Sequence, residues 1–257
     1  MALYRELFQS AARLLLKLGE AENETWSNNA SGVFKDLFTL GPGRVASTST
    51  PPEERLPILV EAFESDSPET RKLALDACEK ALEAVHFTKF GGFDEAGLRK
   101  GPEGWTPKTY AEWWEAYRQI WQLLRERLDS LNPHDRQGAA NILLNRSRGL
   151  ICRTGLGSMV IESLQELLDK DYASKKAVLK EVIEVLHYDG KQLPPELRTK
   201  IQKFKDQLEG TDFPSQLKRY VGMDLLEDRF DEEGHEADFG EKRINELAQE
   251  AARDKTL

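Results

Sequence analysis

The feature that most constrains this chain is residues 52–87, which are typical of two amphipathic helices joined by a short polar turn. Asp66 or Ser67 can cap the second helix, and Pro68 stands at the first helical position, where its missing N–H costs nothing. A single helical hairpin cannot bury both of its faces. The stretch therefore predicts neighbouring hairpins that stack against it.

The proline, arginine and alanine pattern of this hairpin occurs a second time, 65 residues further along the chain. Arg71 follows Pro68 by three residues, Arg136 follows Pro133 by three, and an alanine follows each arginine by three. The separation exceeds the ~40–47 residues of one such repeat, and a glycine-rich insertion accounts for the excess. No run of alternating β-branched residues interrupts the helical patterns, so we predict an all-α fold.

Helical spacing predicts further helices on both sides of the two copies. The first helix is indicated by a stripe of apolar residues that ends before Gly19: Leu3, Leu7, Ala11, Leu14, Leu15 and Leu18. Residues 159–168 and 173–186 predict a third helix pair, which lacks the proline and arginine pattern. Residues 195–208 predict one more helix.

The stretch between the two copies differs from the rest. Residues 88–107 are rich in glycine, and loops of this length in compact folds are often functional. A helix dense in aromatic residues is predicted to begin at Thr106 and Pro107. Aromatic residues at helical spacing usually form part of the core. The adjacent rings of Trp113 and Trp114 cannot both face fully inward, so one of them is predicted to be an exposed anchor. The candidate partner-binding aromatics are Trp105, Tyr110, Trp113 and Trp114.

A compact basic cluster follows in residues 134–153, which hold four arginines and one acidic residue, a net charge of +3. The planar guanidinium suits phosphate or carboxylate ligands, so Arg146, Arg148 and Arg153 are candidate binding residues. The other interpretation is that Arg136 bonds the carbonyls of a turn or the preceding repeat, and that the remaining arginines pair with acidic residues nearby. The sequence leaves both interpretations open.

Charge argues against a dedicated nucleic-acid binder, because such proteins neutralise phosphates with basic residues. The net charge of the 257 residues is −9, and residues 211–257 contribute 13 acidic and 7 basic side chains. Residues 227–238 are expected to form an exposed acidic loop. No apolar run approaches the ~18 residues of a membrane helix, and no positively charged leader precedes an apolar core, so we expect no membrane partner and a cytoplasmic location.

No pattern in the chain indicates catalysis or metal binding. Cys78 and Cys152 are too few for a disulfide framework, and Cys78 is expected to be a small buried hydrophobic residue. The four histidines lack ligand spacing. Residues 155–158 resemble a phosphate-binding loop only superficially, because neither a lysine nor a strand accompanies them. We expect a non-enzymatic protein with no catalytic residues, no metal and no cofactor.

The residues of the two copies resemble a known family. Asp66-Ser67-Pro68-x-x-Arg71-x-x-Ala74-x-x-Ala77 resembles the second half of a HEAT repeat, and Asn132-Pro133-x-x-Arg136-x-x-Ala139 is similar in a looser form. The resemblance implies an α-solenoid, a right-handed superhelix of stacked antiparallel hairpins that offers an extended surface. More weakly, residues 26–32 and 213–222 are similar to segments in the helical-repeat regions of bacterial STAND-type signalling NTPases, which are associated with sensing invaders.

These observations lead to two functional hypotheses. The first is a protein-interaction or sensor module, with a HEAT-like domain at 1–210 carrying the insertion 88–107 and an acidic helical extension at 211–257. Its partner would be another protein or other domains of a longer chain, such as a bacterial signalling or defence NTPase. The alternative is a nucleic-acid-binding HEAT-like protein that uses the cluster from Arg136 to Arg153.

Overall fold

A computed structural model describes residues 2–23, 29–84 and 101–209, together with positions 245, 246, 248, 249 and 252. Every regular element in these ranges is a helix, which confirms the all-α class. The nine α-helices are α1 (Phe8–Glu20), α2 (Ala30–Asp36), α3 (Pro52–Phe63), α4 (Pro68–Ala81), α5 (Tyr110–Arg127), α6 (Pro133–Ile151), α7 (Gly157–Asp169), α8 (Lys175–Glu184) and α9 (Pro195–Glu209). None of the helices in the described ranges is both long and apolar enough to cross a bilayer.

The chain divides into two compact units, a first unit at Met1–Ser163 and a second unit at Leu164–Leu257. The first six helices form three pairs of consecutive helices in the first unit. In these pairs α1 packs on α2, α3 on α4 and α5 on α6. The second helices of these pairs are also in contact in order, because α4 packs against both α2 and α6. The first helices follow the same order, with α3 contacting both α1 and α5.

Side-chain caps determine where several of these helices begin. Ser67 accepts from the backbone N–H of Thr70 at the start of α4, and Asn132 caps α6, with a proline at the first position of each helix, as predicted. The aromatic helix α5 begins later than predicted, at Tyr110 instead of Thr106, because the hydroxyl of Thr109 accepts from the N–H of Glu112.

The core of the first unit lies around α4, which contacts five other helices, α1, α2, α3, α5 and α6. Ala74, Ala77, Cys78 and Ala81 are fully buried. Small side chains let the surrounding helices pack closely, since interiors are filled to crystal-like density. Cys78 is therefore the small buried residue that the sequence predicts, and burial raises the pKa of its thiol.

The arginine of each copy bonds the turn that precedes its own helix. Arg71 donates from Nη1 to the carbonyl oxygens of Ser65 and Asp66, at 2.8 and 2.9 Å. Arg136 donates from Nη2 to the carbonyl oxygen of Leu131, at 2.8 Å. Helix ends and turns leave carbonyls without backbone partners, and these guanidinium groups satisfy them. The interpretation of Arg136 as a residue that bonds turn carbonyls is confirmed.

The second unit is built on α8 and α9, which pack on each other and on a π-helical turn at Val185–Asp189. Its buried side chains include Val178, Val182, Ile201, Phe204 and Leu208. The predicted extension 211–257, with its acidic loop, lies almost wholly outside the described residues. The same holds for residues 88–100 of the insertion and for most residues that carry the weaker resemblance.

Candidate partner-binding groove

The predicted aromatic surface forms a stack at the beginning of α5. The rings of Trp113 and Trp114 are parallel, with centroids 4.9 Å apart, and the ring of Tyr110 stacks on both. Tyr110 is 72% exposed, whereas both tryptophans are half-buried, so the predicted division into one inward and one exposed ring is not observed. The indole N–H of Trp113 donates to the carbonyl oxygen of Leu40 at 2.7 Å, which holds this ring against the connection between α2 and α3.

Arg153 joins this aromatic stack. Its guanidinium lies 5.3 Å from the ring centroid of Trp114, within the range of a cation–π interaction. Its Nη2 donates to the carbonyl oxygen of Ala84, and its Nε donates to that of Gly149. Two predicted binding residues, Arg153 and Trp114, are therefore in contact. The hydrogen bond of Arg153 to Ala84 also holds the chain just before the insertion.

Trp105 lies apart from the stack and is only 7% exposed. Its backbone pairs with the connection before α3, since its N–H donates to Thr48 and its carbonyl accepts from Gly43. Its ring packs against the buried guanidinium of Arg55, 5.9 Å from the ring centroid. The ring belongs to the interior of the first unit, so the expectation that Trp105 contributes to a partner surface is corrected. The glycine-rich sequence around Trp105 does not indicate its burial, because the residues that contact it, Gly43, Thr48 and Arg55, are more than 40 positions away in the chain.

Arg55 bonds three carbonyl oxygens of the same connection. Its Nε donates to Thr50, and its Nη1 donates to Leu37 and Thr39. Burial lowers the pKa of the guanidinium to about 9. Arg55 is thus a structural residue beneath Trp105, and no feature of the sequence indicates its burial.

The other predicted arginines also make contacts within the chain. Nη2 of Arg146 lies 3.0 Å from a carboxylate oxygen of Glu79 and 3.6 Å from one of Glu83, both at or just beyond the C-terminal half of α4. Arg148 is half-buried and also interacts within the chain. The expectation that the remaining arginines pair with acidic residues is confirmed for Arg146, whereas Arg153 bonds carbonyl oxygens and an indole ring instead. These contacts do not support one continuous basic surface.

A groove of about 620 Å³ runs between α4 and α6. Its floor is apolar, because Leu75 and Ile142 lie there with 7% exposure each. A Cβ at Gly138 would lie 3.2 Å from the Cδ1 of Leu75, so the glycine lets the two helices approach at this point. The remaining lining is polar or at the rim: Pro68, Glu69, Lys72, Asp76, Glu79, His134, Asp135, Gln137, Asn141 and Asn145.

Three exposed amide side chains form a ladder along the α6 side of this groove. Gln137, Asn141 and Asn145 are four residues apart, and the first donates to the second at 2.9 Å. Residues four apart lie on one face of a helix. An amide group both donates and accepts hydrogen bonds, as a peptide backbone does. The ladder was not predicted from the sequence. The signal that could have indicated it is the row of uncharged polar residues spaced four apart at positions 137, 141 and 145.

A second cavity of about 360 Å³ adjoins the groove on the other side of α4, and Asp76 and Glu79 line both. Its charges are largely compensated, since Lys80 pairs with Glu83 at 2.7 Å and Lys35 lies 3.7 Å from Asp76. Burial raises the pKa of the half-buried Asp36 in this cavity. The lining is therefore polar with little excess charge.

Within the described ranges, no three histidine, cysteine, aspartate or glutamate side chains are placed to hold a metal ion. Comparison of the chain with protein-family models, with curated proteins and with solved structures finds no match. The groove is therefore interpreted from its own chemistry.

Proposed function

We propose that the first unit is a non-enzymatic interaction module that binds an extended segment of a protein partner in the groove between α4 and α6. In this proposal the three helix pairs form a HEAT-like stack, a short α-solenoid. The ordered contacts of α1, α3 and α5 on one side and of α2, α4 and α6 on the other support it. The partner is either a separate protein or another domain of a longer signalling chain.

The observation that carries the proposal is the composition of the groove. An apolar floor at Leu75 and Ile142 offers contact to alternate side chains of an extended peptide, while the amide ladder offers donors and acceptors to its backbone. Two carboxylates of the lining are already paired within the chain, Glu79 with Arg146 and Asp135 with Arg71. Recognition therefore rests on backbone hydrogen bonds and apolar contacts more than on charge.

The same lining disfavours the nucleic-acid alternative. Six carboxylates and four cationic side chains line the groove and the adjoining cavity. A polyanion gains affinity by pairing its phosphates with basic residues, and here acidic groups are in excess. Arg146, the predicted binding arginine among these four cationic side chains, is held by Glu79 and Glu83.

The proposal is tested with a phage-displayed library of random peptides selected on the immobilised full chain. We expect enrichment of a peptide set on the wild type and its loss on the triple variant Gln137→Ala, Asn141→Ala and Asn145→Ala. The matched control removes two exposed amides of the second unit, Gln165→Ala and Gln202→Ala, each of which bonds an aspartate four residues on, and keeps the enrichment. Equal enrichment on the triple variant, or none on the wild type, contradicts the proposal.

A second arm separates the nucleic-acid alternative. Retention of the wild type on immobilised DNA that weakens steeply with added salt, and that is lost in the double variant Arg146→Glu and Arg148→Glu, supports that alternative. Absence of retention at low salt removes it.

A further inference from the structure

In the described part of the first unit, the first helix carries an apolar face that the other helices leave exposed. Seven large hydrophobic residues are exposed in the described part of the chain, and four of them lie on α1 and the turn before it. They are Tyr4, Leu7, Leu14 and Leu18, with exposures of 43%, 46%, 59% and 50%. The buried face of α1 is a different one, formed by Phe8, Ala12 and Leu16. A helix at the end of a stack normally presents a polar outer face, so a second apolar face indicates a further partner.

Two pairs of leucines in this segment are placed symmetrically about one point. Leu7 and Leu14 lie equally far from a point between Ser10 and Ala11, and they share one line of the helix, seven residues apart. Leu3 and Leu18 are placed symmetrically about the same point. If a second copy of the helix crosses in the opposite direction at this point, Leu7 meets Leu14 of the partner subunit. The small residues at the centre permit close approach of the two helices.

The charged residues beside the face fit the same arrangement. Glu6 and Lys17 are exposed and lie on one flank of the apolar face. In an antiparallel pair centred between Ser10 and Ala11, Lys17 lies within about one helical turn of Glu6 of the partner subunit, and the symmetry repeats the contact.

We infer that the exposed face of α1 is a dimer interface that binds a second copy of this chain, with the two α1 helices antiparallel about a two-fold axis. An isologous interface, in which the same patch serves both subunits, requires a two-fold placement of its contacts, and the pairs Leu7 with Leu14 and Glu6 with Lys17 satisfy this requirement. A face designed for a different protein has no need of this symmetry. The inference is independent of the proposed peptide groove, because α4 and α6 take no part in it.

The size of the face sets the strength of the dimer. The turn Arg5–Leu7 and α1 together span 16 residues. This corresponds to about 24 Å of helix at roughly 1.5 Å per residue. The area that a single helix face buries on each partner is smaller than the about 800 Å² per partner that stable complexes bury. We therefore expect a dissociation constant of micromolar order.

Sedimentation velocity of the full chain between about 1 and about 100 µM tests the inference across that range. The wild type is expected to shift from monomer to dimer with concentration, and Leu14→Glu is expected to remain monomeric. Leu14 is 59% exposed, so the substitution leaves the core of the monomer intact. The control Tyr110→Glu, at an exposed ring on α5, dimerises as the wild type does. A wild type that stays monomeric, or a Leu14→Glu variant that still dimerises, overturns the inference.

Charge reversal tests the antiparallel arrangement itself. Glu6→Lys and Lys17→Glu are each expected to weaken dimerisation about tenfold, and the double variant is expected to restore it. A Ser10→Cys variant is expected to form a disulfide between two copies under oxidising conditions, since this residue lies beside the axis. Failure of the double variant to recover, or absence of the cross-link in a dimer, rules out this geometry.

Discussion

Arg71 in α4 and Asp135 in α6 form an ion pair between neighbouring hairpins, with 2.6 Å between Nε and Oδ2. Both side chains are largely buried, at 18% and 4% exposure. The carboxylate also accepts from the side-chain amide of Asn132, and the guanidinium also bonds the turn before α4. This ion pair thus ties the start of α4 to the start of α6.

Removing the carboxylate of this pair is expected to destabilise the first unit. Asp135→Ala leaves the guanidinium of Arg71 without its counter-charge in a largely buried place, which costs about 2–3 kcal/mol. The matched control is Glu61→Ala, which breaks the exposed pair with Arg13 and is expected to change stability by less than about 1 kcal/mol. Urea unfolding measures both. Equal effects of the two substitutions would show that the buried pair has no special role.

Two glycine substitutions are expected to act in opposite directions. At Gly104 an added Cβ would lie 2.3 Å from the carbonyl oxygen of Gly43, so Gly104→Ala forces the backbone to move and costs about 2 kcal/mol or more. At Gly149, inside α6, the nearest atom is the Cβ of Ala84 at 3.6 Å, an ordinary contact. Gly149→Ala is expected to gain about 0.5–1 kcal/mol from helix propensity. Thermal unfolding distinguishes the two, and a stable Gly104→Ala variant contradicts the described packing.

The buried thiol of Cys78 predicts a loss of stability at alkaline pH. Because its pKa is raised in the folded state, the unfolded chain releases the proton first as pH rises above the ordinary value of 9.0. The contribution of the buried thiol to the free energy of unfolding is complete below pH 9.0. Above that pH the free energy of unfolding decreases by about 1.4 kcal/mol per pH unit, which amounts to about 2 kcal/mol at about pH 10.5. Denaturant unfolding at about pH 8 and about pH 10.5 is expected to show a smaller decrease for Cys78→Ala than for the wild type. Cys152→Ala, at a half-buried cysteine, is expected to retain the wild-type decrease.

The aromatic stack predicts how a neutral quencher reaches the tryptophans. Tyr110 covers both Trp113 and Trp114, so Tyr110→Ala is expected to increase the Stern–Volmer constant for acrylamide. The ring of Tyr110 is 72% exposed, so unfolding stability should change by less than about 0.5 kcal/mol. Tyr188→Ala, at an exposed ring of the second unit, leaves quenching unchanged. An unaltered constant for Tyr110→Ala means that this ring does not shield the indoles.

Much of the first unit was predictable because its signals are local. Pro68, Ser67 and Asn132 mark helix starts through the chemistry of a few adjacent residues, and the structure confirms them. The orientation of α1 was not predictable in this way. Periodicity selects the stripe with Leu7 and Leu14, yet the core takes the other apolar face of the helix. A helix with two apolar faces gives no local sign of which one its own chain will cover.

The candidate site depends on contacts that sequence spacing does not reveal. The sequence indicates aromatic residues and arginines at this region of the chain. Their arrangement depends on Leu40, Ala84 and Glu79, which lie 67 to 73 positions away from the side chains they contact. The groove likewise requires α4 and α6 to lie side by side. Only Gly138, which allows their approach, hints at it in the sequence.

The connection between α4 and α5 is fixed at both of its described ends. The carbonyl of Ala84 accepts from Arg153, and the backbone of Trp105 pairs with Thr48 and Gly43. When two anchor points are set by the fold, a longer or shorter chain between them changes mainly the entropy of loop closure, by only about 0.6 kcal/mol for each doubling of length. An engineered insertion within residues 85–100, such as an affinity tag or a reporter domain, is therefore expected to leave the anchoring contacts of Ala84 and Trp105 in place.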